Sequence, residues 1–301
     1  MPALNYAEQY THGLQQNFSQ GFFFNARYNT PNNNRIRRIN AKTVQCPRID
    51  VTGMVDVDRD SIGDFTRQVD NSWETKTLQH DREFRTLVDP VDIDETNMAV
   101  TIANITNVFN DEQKIPEMDK YMASKLFAEF ETYGGEANTT TLDVNNVLTV
   151  FDDLMQEMDE AEVPSEGRIL YVTPAVYTLL KNADAVVRSI NVSTGNRIDR
   201  SVYALDDVEL VRVPSARMKT IYDFTRGATE GAGAVQINMI LIHPNSIIAP
   251  QKYEFVSLDE PSAHTGGKWL YYERKYWDVF AIERKVPGMA FNIQEAGGGG
   301  E

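Results

Sequence analysis

The sequence contains very little cysteine and no long apolar run. Cys46 is the one cysteine in 301 residues, which excludes an internal disulfide and any zinc site built from several cysteines. No apolar stretch approaches the roughly 18 residues that span a bilayer, and the first residues lack the order of a signal peptide. We therefore expect synthesis in a reducing cytoplasm, no association with membranes, and stability that comes from packing within or between subunits.

Basic residues are also scarce. The chain has 29 Lys and Arg against 44 Asp and Glu, so its formal net charge is −15. Nucleic-acid phosphates repel such a chain overall, because binding them requires clustered Lys and Arg. Residues 1–50 depart from this trend, with six basic and two acidic side chains. A basic arm on an acidic body predicts a contact with something acidic, for which another copy of the chain is the nearest candidate. An incidental solvated arm is the alternative.

Recognisable catalytic and metal-binding motifs are absent from the sequence. None of the four histidines has another at the i+3 or i+4 position that a helical metal site requires. There is no Gly-x-Ser-x-Gly elbow, and residues 265–268 lack the spacing of a phosphate-binding loop. A solvated surface explains the acidic pair Asp152 and Asp153 better than a metal site does. The sequence therefore predicts no enzyme and no cofactor.

Residues 1–40 are predicted to form an extended arm. The rest of the composition, 42% hydrophobic and 24% charged, is that of a folded protein with one large or two medium domains. The arm has no sustained period of 2 or 3.6, which argues against a domain. Phe22, Phe23 and Phe24 lie in its middle, and three adjacent phenylalanines need cover from water. Either the arm folds back on its own body or it packs on a neighbour, and both alternatives remain open.

A long β-hairpin is predicted after the arm. Apolar and polar residues alternate over residues 49–58, which is the two-residue period of a strand. A second extended run covers residues 73–88, after a polar stretch at 59–72. The hairpin has few large apolar side chains, and an isolated hairpin is only marginally stable in water. We therefore expect it to project from the body and to be stabilised by another surface.

Helices are predicted next. Apolar residues recur every three or four positions over residues 94–133, which predicts one long helix with a break at 111–114 and a kink at Pro116. A further helix is predicted to open with the capping-box pair Thr140 and Asp143. Its apolar positions, which we expect to be buried, are Val147, Phe151, Leu154 and Met158.

Short strands are predicted to dominate the remaining chain. Residues 168–173 have the pattern of a strand, and Thr173 before Pro174 is typical of a helix N-cap and first turn. A loop of small residues is predicted at 227–233. The later predicted strands cover residues 208–213, 235–242, 252–258, 269–272 and 277–282.

This order of elements resembles the major capsid proteins of tailed bacteriophages, which have the Hong Kong-type capsid fold. Residues 115–121 resemble the opening of the family's spine helix, 142–180 its peripheral-domain helix, strand and helix, and 273–291 its final return strands. The resemblance implies an α+β fold with an N-terminal arm, an extended β-hairpin loop, a long spine helix, a peripheral domain and an axial domain. It also assigns segments, namely the arm (1–40), the extended loop (41–93), the spine helix and peripheral domain (94–182), the axial domain (183–250), the return strands of the peripheral domain (251–296) and a flexible tail (297–301).

The function that the resemblance implies is structural. Copies of the chain would form hexamers and pentamers that close an icosahedral shell around double-stranded viral DNA, in a virion made in the bacterial host cytoplasm. Implied partners are the chain itself, scaffolding, portal and decoration proteins, and DNA enclosed without sequence preference. Two alternatives remain open: the shell of an encapsulin-like nanocompartment that encloses cargo enzymes, and an oligomeric enzyme of unknown activity.

Contacts between subunits are predicted at the arm and the hairpin. Arg35, Arg37 and Arg38 stand close together, whereas the helix around residues 151–162 carries six acids and no base. We expect the arginines to pair with acidic surface of an adjacent copy, with that helix face as the candidate; the alternative is that they hold packaged DNA. The other predicted contact residues are Phe22, Phe23, Phe24 and Trp73.

Overall fold

The computed structural model describes residues 21–40, 42–54, 56, 69–95, 102–183 and 204–295. The first half of the predicted arm, the tip of the predicted hairpin, residues 184–203 of the predicted axial domain and the predicted tail lie outside the described residues. Among the described residues, no helix is both long enough and apolar enough to cross a membrane.

The described residues form six α-helices and fifteen β-strands. The helices are α1 (Asn25–Tyr28), α2 (Pro90–Glu95), α3 (Ile102–Phe109), α4 (Ile115–Thr132), α5 (Val147–Glu160) and α6 (Pro174–Asn182). The strands are β1 (Arg37–Arg38), β2 (Thr43–Val51), β3 (Val69–Thr77), β4 (His80–Val88), β5 (Ile169–Val172), β6 (Ala204–Leu205), β7 (Val208–Arg212), β8 (Tyr222–Asp223), β9 (Thr229–Glu230), β10 (Ile237–Ile242), β11 (Ile247–Ile248), β12 (Gln251–Asp259), β13 (Trp269–Trp277), β14 (Phe280–Ala281) and β15 (Met289–Ile293).

The predicted hairpin exists, but its strand bounds were wrong. Strands β2 and β3 pair antiparallel, with Val51 opposite Val69, and β2 begins six residues before the predicted start. The second predicted run divides into β3 and β4, because Leu78 turns into the core with only 2% of its surface exposed. Strand β4 then leaves the hairpin and pairs with β13 in the body. Strands β3 and β4 have the same kind of sequence pattern, so the pattern does not show where one strand ends and the next begins.

The predicted break in the long helix was also wrong. Residues Asn110–Lys114 form one π-helical turn that joins α3 to α4 through helical backbone. Pro116 lies in the first turn of α4. A proline ring clashes with the carbonyl four residues earlier and supplies no N–H, and a π turn accommodates this local loss of regular bonding. The prediction of one long helix through Pro116 therefore holds, and a π turn replaces the predicted break at 111–114.

Helix α5 begins later than the predicted capping box. Its N-cap is Asn146, and the Asp143 side chain accepts hydrogen bonds from the N–H groups of Asn145 and Asn146 at 2.7 and 2.9 Å. These bonds form a turn ahead of the helix, as short polar side chains often do. The prediction that Thr140 and Asp143 form a capping box at the start of this helix was therefore wrong. The predicted buried positions are confirmed, with exposed fractions of 0% for Val147, 1% for Phe151, 2% for Leu154 and 0% for Met158.

A five-stranded sheet in the order β15-β10-β5-β7-β6 forms the centre of the fold. Alternate residues of β5 face two cores: Leu170 and Val172 pack under α5 and α6, whereas Ile169 and Tyr171 pack toward α4. The sheet takes strands from three predicted segments, so residues 183 and 251 are not boundaries between sheets. Strand β5 pairs with both β7 and β10, which lie far from it in the chain, and these pairings join the three segments in one sheet.

Most of the later strands match their predictions. Strands β7, β10 and β12 cover the predicted runs at 208–213, 235–242 and 252–258 within a few residues. Two corrections apply. Residues 269–277 form one strand, β13, in the sheet β12-β13-β4, and the predicted small-residue loop contains β9, which pairs with β8.

Candidate assembly surfaces

The described part of the arm is bound to its own body at Phe24. This side chain is 0% exposed, and its ring stacks on Tyr171 of β5 with 4.4 Å between the ring centroids. Of the two alternatives for the phenylalanine cluster, folding back on the body therefore holds for Phe24. Its predicted contact with another subunit is corrected, because a side chain with no exposed surface has none left for a neighbour. Phe22 and Phe23 are partly buried against the same core, and their contacts between subunits remain predictions.

Two residues that the sequence analysis did not single out hold this segment of the arm. The Asp119 carboxylate on α4 is fully buried and accepts hydrogen bonds from the backbone N–H groups of Phe24 and Phe23, at 3.0 and 3.3 Å. Arg217 donates to the same carboxylate at 2.7 Å and to the carbonyl of Gly21 at 3.0 Å. Burial raises the pKa of Asp119, although the N–H groups and Arg217 favour its charged form. Asp119 and Arg217 lie 98 positions apart in the sequence, so no local motif predicts that they meet.

The predicted contact arginines all lie at the surface. Arg35, Arg37 and Arg38 are exposed, and none of them forms an ion pair with a carboxylate of the chain as far as it is described. The Arg37 guanidinium lies over the Trp73 ring, 5.7 Å from its centroid, so the sheet β1-β2-β3 brings two predicted contact residues together. Arg38 donates to the carbonyl of Gln251 at 2.9 Å. Their pairing with a neighbouring copy stays a prediction.

The hairpin has one face against the body and one face in water. On the body side, Val44 and Cys46 are buried, and Arg48 and Asp50 form ion pairs with the loop that follows β14. The opposite face, here called the hairpin outer face, carries the apolar side chains Pro47, Ile49, Val51, Val69 and Trp73, with the polar Gln45, Asn71 and Thr75 among them. The exposed fractions are 63% for Ile49, 69% for Val51, 45% for Val69 and 42% for Trp73. Exposed apolar side chains grouped on one face mark a place where another protein surface packs.

A buried polar cluster fixes the point where the hairpin leaves the body. His80, the first residue of β4, stacks on Tyr121 of α4 with 3.8 Å between the ring centroids. The Tyr121 hydroxyl donates to one oxygen of Asp278 at 2.7 Å, and the N–H of Gln79 donates to the other at 2.8 Å. Asp278 is fully buried. The hairpin base is therefore tied to the long helix and to the turn after β13.

Glu117 connects the same cluster to Arg82. Its carboxylate accepts a hydrogen bond from Nε of Arg82 at 2.6 Å and lies 3.6 Å from Nε2 of His80. Burial raises the pKa of Glu117, but the hydrogen bonds and positive charges of His80 and Arg82 outweigh burial, so the pKa lies below its ordinary value. A lowered pKa in the folded state stabilises the fold above the unfolded-state pKa, and this contribution disappears as the pH falls through the folded-state value.

We expect acid to destabilise the wild-type chain more than the Glu117→Gln variant. Below about pH 4.5, the wild type loses the contribution of this carboxylate, whereas the amide has none to lose. The measurement is the melting temperature Tm at intervals from about pH 7 to about pH 3. The matched control is Glu131→Gln, at an exposed position of the same helix, which should keep the wild-type slope. Parallel slopes for Glu117→Gln and the wild type would contradict the assignment.

Metal and thiol chemistry find no support in the described residues. Within those residues, no group of three or more His, Cys, Asp or Glu side chains is placed to hold a metal ion. Cys46 is buried, and burial raises the pKa of its thiol to about 11. The thiolate is the reactive form of cysteine, so this side chain contributes packing at neutral pH.

Neither a protein-family profile nor a curated protein sequence matches this chain. Solved capsid structures do match it in three dimensions. The mature capsid of bacteriophage PhiM1 gives a TM-score of 0.69 at 13% identity and covers 96% of this chain and 92% of that one. The capsid of cyanophage P-SCSP1u gives 0.70 at 10% identity, covering 96% and 93%. A structure from Mycobacterium phage Che8 gives 0.66 at 13% identity, covering 95% and 96%.

Sequence identities this low carry information about the fold alone. The matches extend over nearly the whole length of both chains, including the hairpin, the long helix and the central sheet. They confirm the predicted fold class: this chain has the α+β fold of bacteriophage capsid proteins.

Proposed function

We propose that this chain is the structural shell protein of a bacteriophage. Copies assemble as hexamers and pentamers into an icosahedral capsid that encloses double-stranded viral DNA. The observation that carries the proposal is the match to capsid structures over 96% of the chain. A shared fold does not by itself establish a function, so the surfaces of the molecule supply the second argument.

The hairpin outer face supports assembly. It holds apolar side chains with exposed fractions between 42% and 69%, on two strands that lie at the margin of the body. Removing apolar surface from water contributes about 25 cal/mol per Å², and an identical contact repeats at every copy. A shell built from many copies covers this face, whereas a monomer leaves it in water.

The charge of the chain suits enclosure of DNA better than tight binding. A formal net charge of −15 opposes the phosphate contacts that dominate nucleic-acid affinity. DNA confined within such a shell is held by the closed wall and remains free to move during packaging. The proposed partners are accordingly other copies, with scaffolding, portal and decoration proteins acting on the shell, and the proposed location is the virion.

We expect the purified chain to elute as a hexamer or a larger species, and electron microscopy of negatively stained samples to show hollow particles. The physical reason is that the hairpin outer face is covered only when copies meet. Size-exclusion chromatography with light scattering, at several salt concentrations, measures the mass. A stable, monodisperse monomer under all of these conditions would overturn the proposal. DNA recovered from native particles supports a viral capsid, whereas protein cargo without DNA favours the nanocompartment.

A further inference from the structure

The central sheet carries opposite charges at the two ends of strand β7. The turn before β7 contains Asp206 and Asp207, both in the left-handed region with φ of 46° and 64°. The last residue of β7 is Arg212, next to the C-terminal end of β5, and α6 begins at that same end. Five residues of strand separate Asp207 from Arg212, which corresponds to about 16 Å. The sheet thus has an acidic end and a basic end.

The basic end is a groove between α6 and β7, here called the basic groove. It has a volume of about 350 Å³. The guanidinium of Arg212 lies 4.5 Å from the centroid of the Tyr177 ring, and Nζ of Lys181 lies 5.7 Å from it. Neither cation forms an ion pair with a carboxylate in the part of the chain that the structure describes. Two positive charges on one ring repel each other, so an anionic group beside them is stabilised.

The acidic end is an exposed surface, here called the acidic end surface. It consists of Asp152, Asp153, Glu157 and Glu160 on the outer face of α5 and of Asp206 and Asp207 in the adjoining turn. None of these six forms an ion pair with Lys or Arg of the described residues; Asp159 on the same helix does so, with Arg168. Burial, and then the charges of Asp206 and Asp153, raise the pKa of Asp152. The acids therefore repel one another within a single copy.

We propose that the acidic end surface of one copy docks on the basic groove of the next copy, which leaves the arm arginines to pair with other acidic surface of an adjacent copy. The inference rests on the proposed shell function and adds the residues that join neighbours. The two surfaces differ and lie at opposite ends of one sheet, so the contact runs head to tail and closes into a ring when the rotation between copies fits. A two-fold axis through either surface alone would place like charges together. Nucleic-acid phosphate is the competing ligand for the groove, and the acids at the other end of the sheet, which have no Lys or Arg partner among the described residues, favour an acidic protein surface instead.

Charge reversal tests the contact. In the groove variant, Lys181→Glu and Arg212→Glu, two acidic surfaces meet. In the acid variant, the four α5 acids are reversed (Asp152→Lys, Asp153→Lys, Glu157→Lys and Glu160→Lys), so that two basic surfaces meet. All six positions are exposed or partly exposed, so circular dichroism should show the wild-type fold. We expect each variant alone to need at least about tenfold more protein to assemble, because like charges placed together oppose association.

Mixing the variants provides the decisive measurement. In an equimolar mixture, each contact between unlike variants again pairs acid with base, so rings with an even number of copies form and five-membered rings do not. The chain with all six substitutions restores every contact and should form both. Light scattering and electron microscopy record the assemblies. The matched control, Arg85→Glu with Arg226→Glu, makes the same change in net charge at exposed positions elsewhere and should assemble like the wild type.

The outcomes separate this inference from the proposed function. Failure of the wild type to assemble removes the proposed function. A wild type that assembles, together with a groove variant that assembles equally well, overturns the contact alone. The contact is also overturned when the mixture shows no rescue, or when the control is as impaired as the groove variant. Groove-variant shells of normal yield that retain less DNA would instead assign the groove to nucleic-acid phosphate.

Discussion

The variant with Ile49→Asp and Val51→Asp should fold as the wild type does and form no particles. Both side chains lie on the hairpin outer face with exposed fractions of 63% and 69%, so the isolated subunit loses almost no buried apolar contact. In an assembly that covers this face, each apolar side chain contributes about 1.5–3 kcal/mol, and a carboxylate in its place must be dehydrated without a partner. The loss applies to every copy, which is why we expect the effect to be complete.

Thermal unfolding and electron microscopy test this prediction together. The Tm of the unassembled subunit should stay unchanged, while particles disappear from the micrographs. The matched control is Val144→Asp with Ile221→Asp, which places the same charges at exposed apolar positions outside the hairpin, 39% and 47% exposed. Normal yield and normal stability of particles from the hairpin variant would show that this face does not contact a neighbour.

The Asp119→Asn variant should lose about 3–5 kcal/mol of unfolding free energy. The asparagine amide keeps the shape of the side chain but removes the carboxylate charge that faces the buried guanidinium of Arg217. Arg217 has only 7% of its surface exposed, so water does not replace the lost carboxylate. The N–H groups of Phe23 and Phe24 also lose a charged acceptor. Proteolysis near residues 21–24 should become faster, because this pair anchors the arm.

Urea denaturation of two further variants distinguishes a buried ion pair from an ordinary hydrogen bond. Adding Arg217→Met to Asp119→Asn should recover part of the loss, because the buried positive charge that faced the lost carboxylate is then removed. The exposed pair of Arg274 and Asp81 is the control, with side chains 47% and 35% exposed. Asp81→Asn should cost about 0–1 kcal/mol. A loss from Asp119→Asn as small as that from Asp81→Asn would contradict the anchoring role.

Local patterns in the sequence predicted those elements whose cause is local. Thr173 before Pro174 marks the start of α6, and the Thr173 side chain does accept a bond from the N–H of Val176. The three- and four-residue spacing from Val147 to Met158 identified the buried face of α5. Local patterns failed where two different structures have the same pattern. Strands β3 and β4 have the same kind of sequence pattern, so they were predicted as one run. A proline is compatible both with the start of a helix and with a π turn before it, so the π turn was predicted as a break.

The candidate surfaces were predicted in part. Arg37 and Trp73 were both expected at a contact, and strand pairing places one over the other. Phe24 was expected at the same contact but lies in the core. Sequence shows that a phenylalanine needs cover, and it does not show what supplies the cover. The basic groove was missed because Lys181 and Arg212 stand 31 positions apart and meet only through the pairing of β5 with β7.

Composition and periodicity alone were sufficient for the acidic balance, the lack of a recognisable catalytic motif and the helical and extended segments. These properties depend on neighbouring residues or on simple counts. The capsid fold was expected from the resemblance of the order of these segments to a known family. The tertiary structure decided that β4 joins the body, that one sheet unites three segments, and that Asp119 and Arg217 meet beneath the arm. Each of these depends on contacts between residues far apart in the chain. Such contacts are selected by how well whole surfaces pack and exclude water, which no single stretch of sequence encodes.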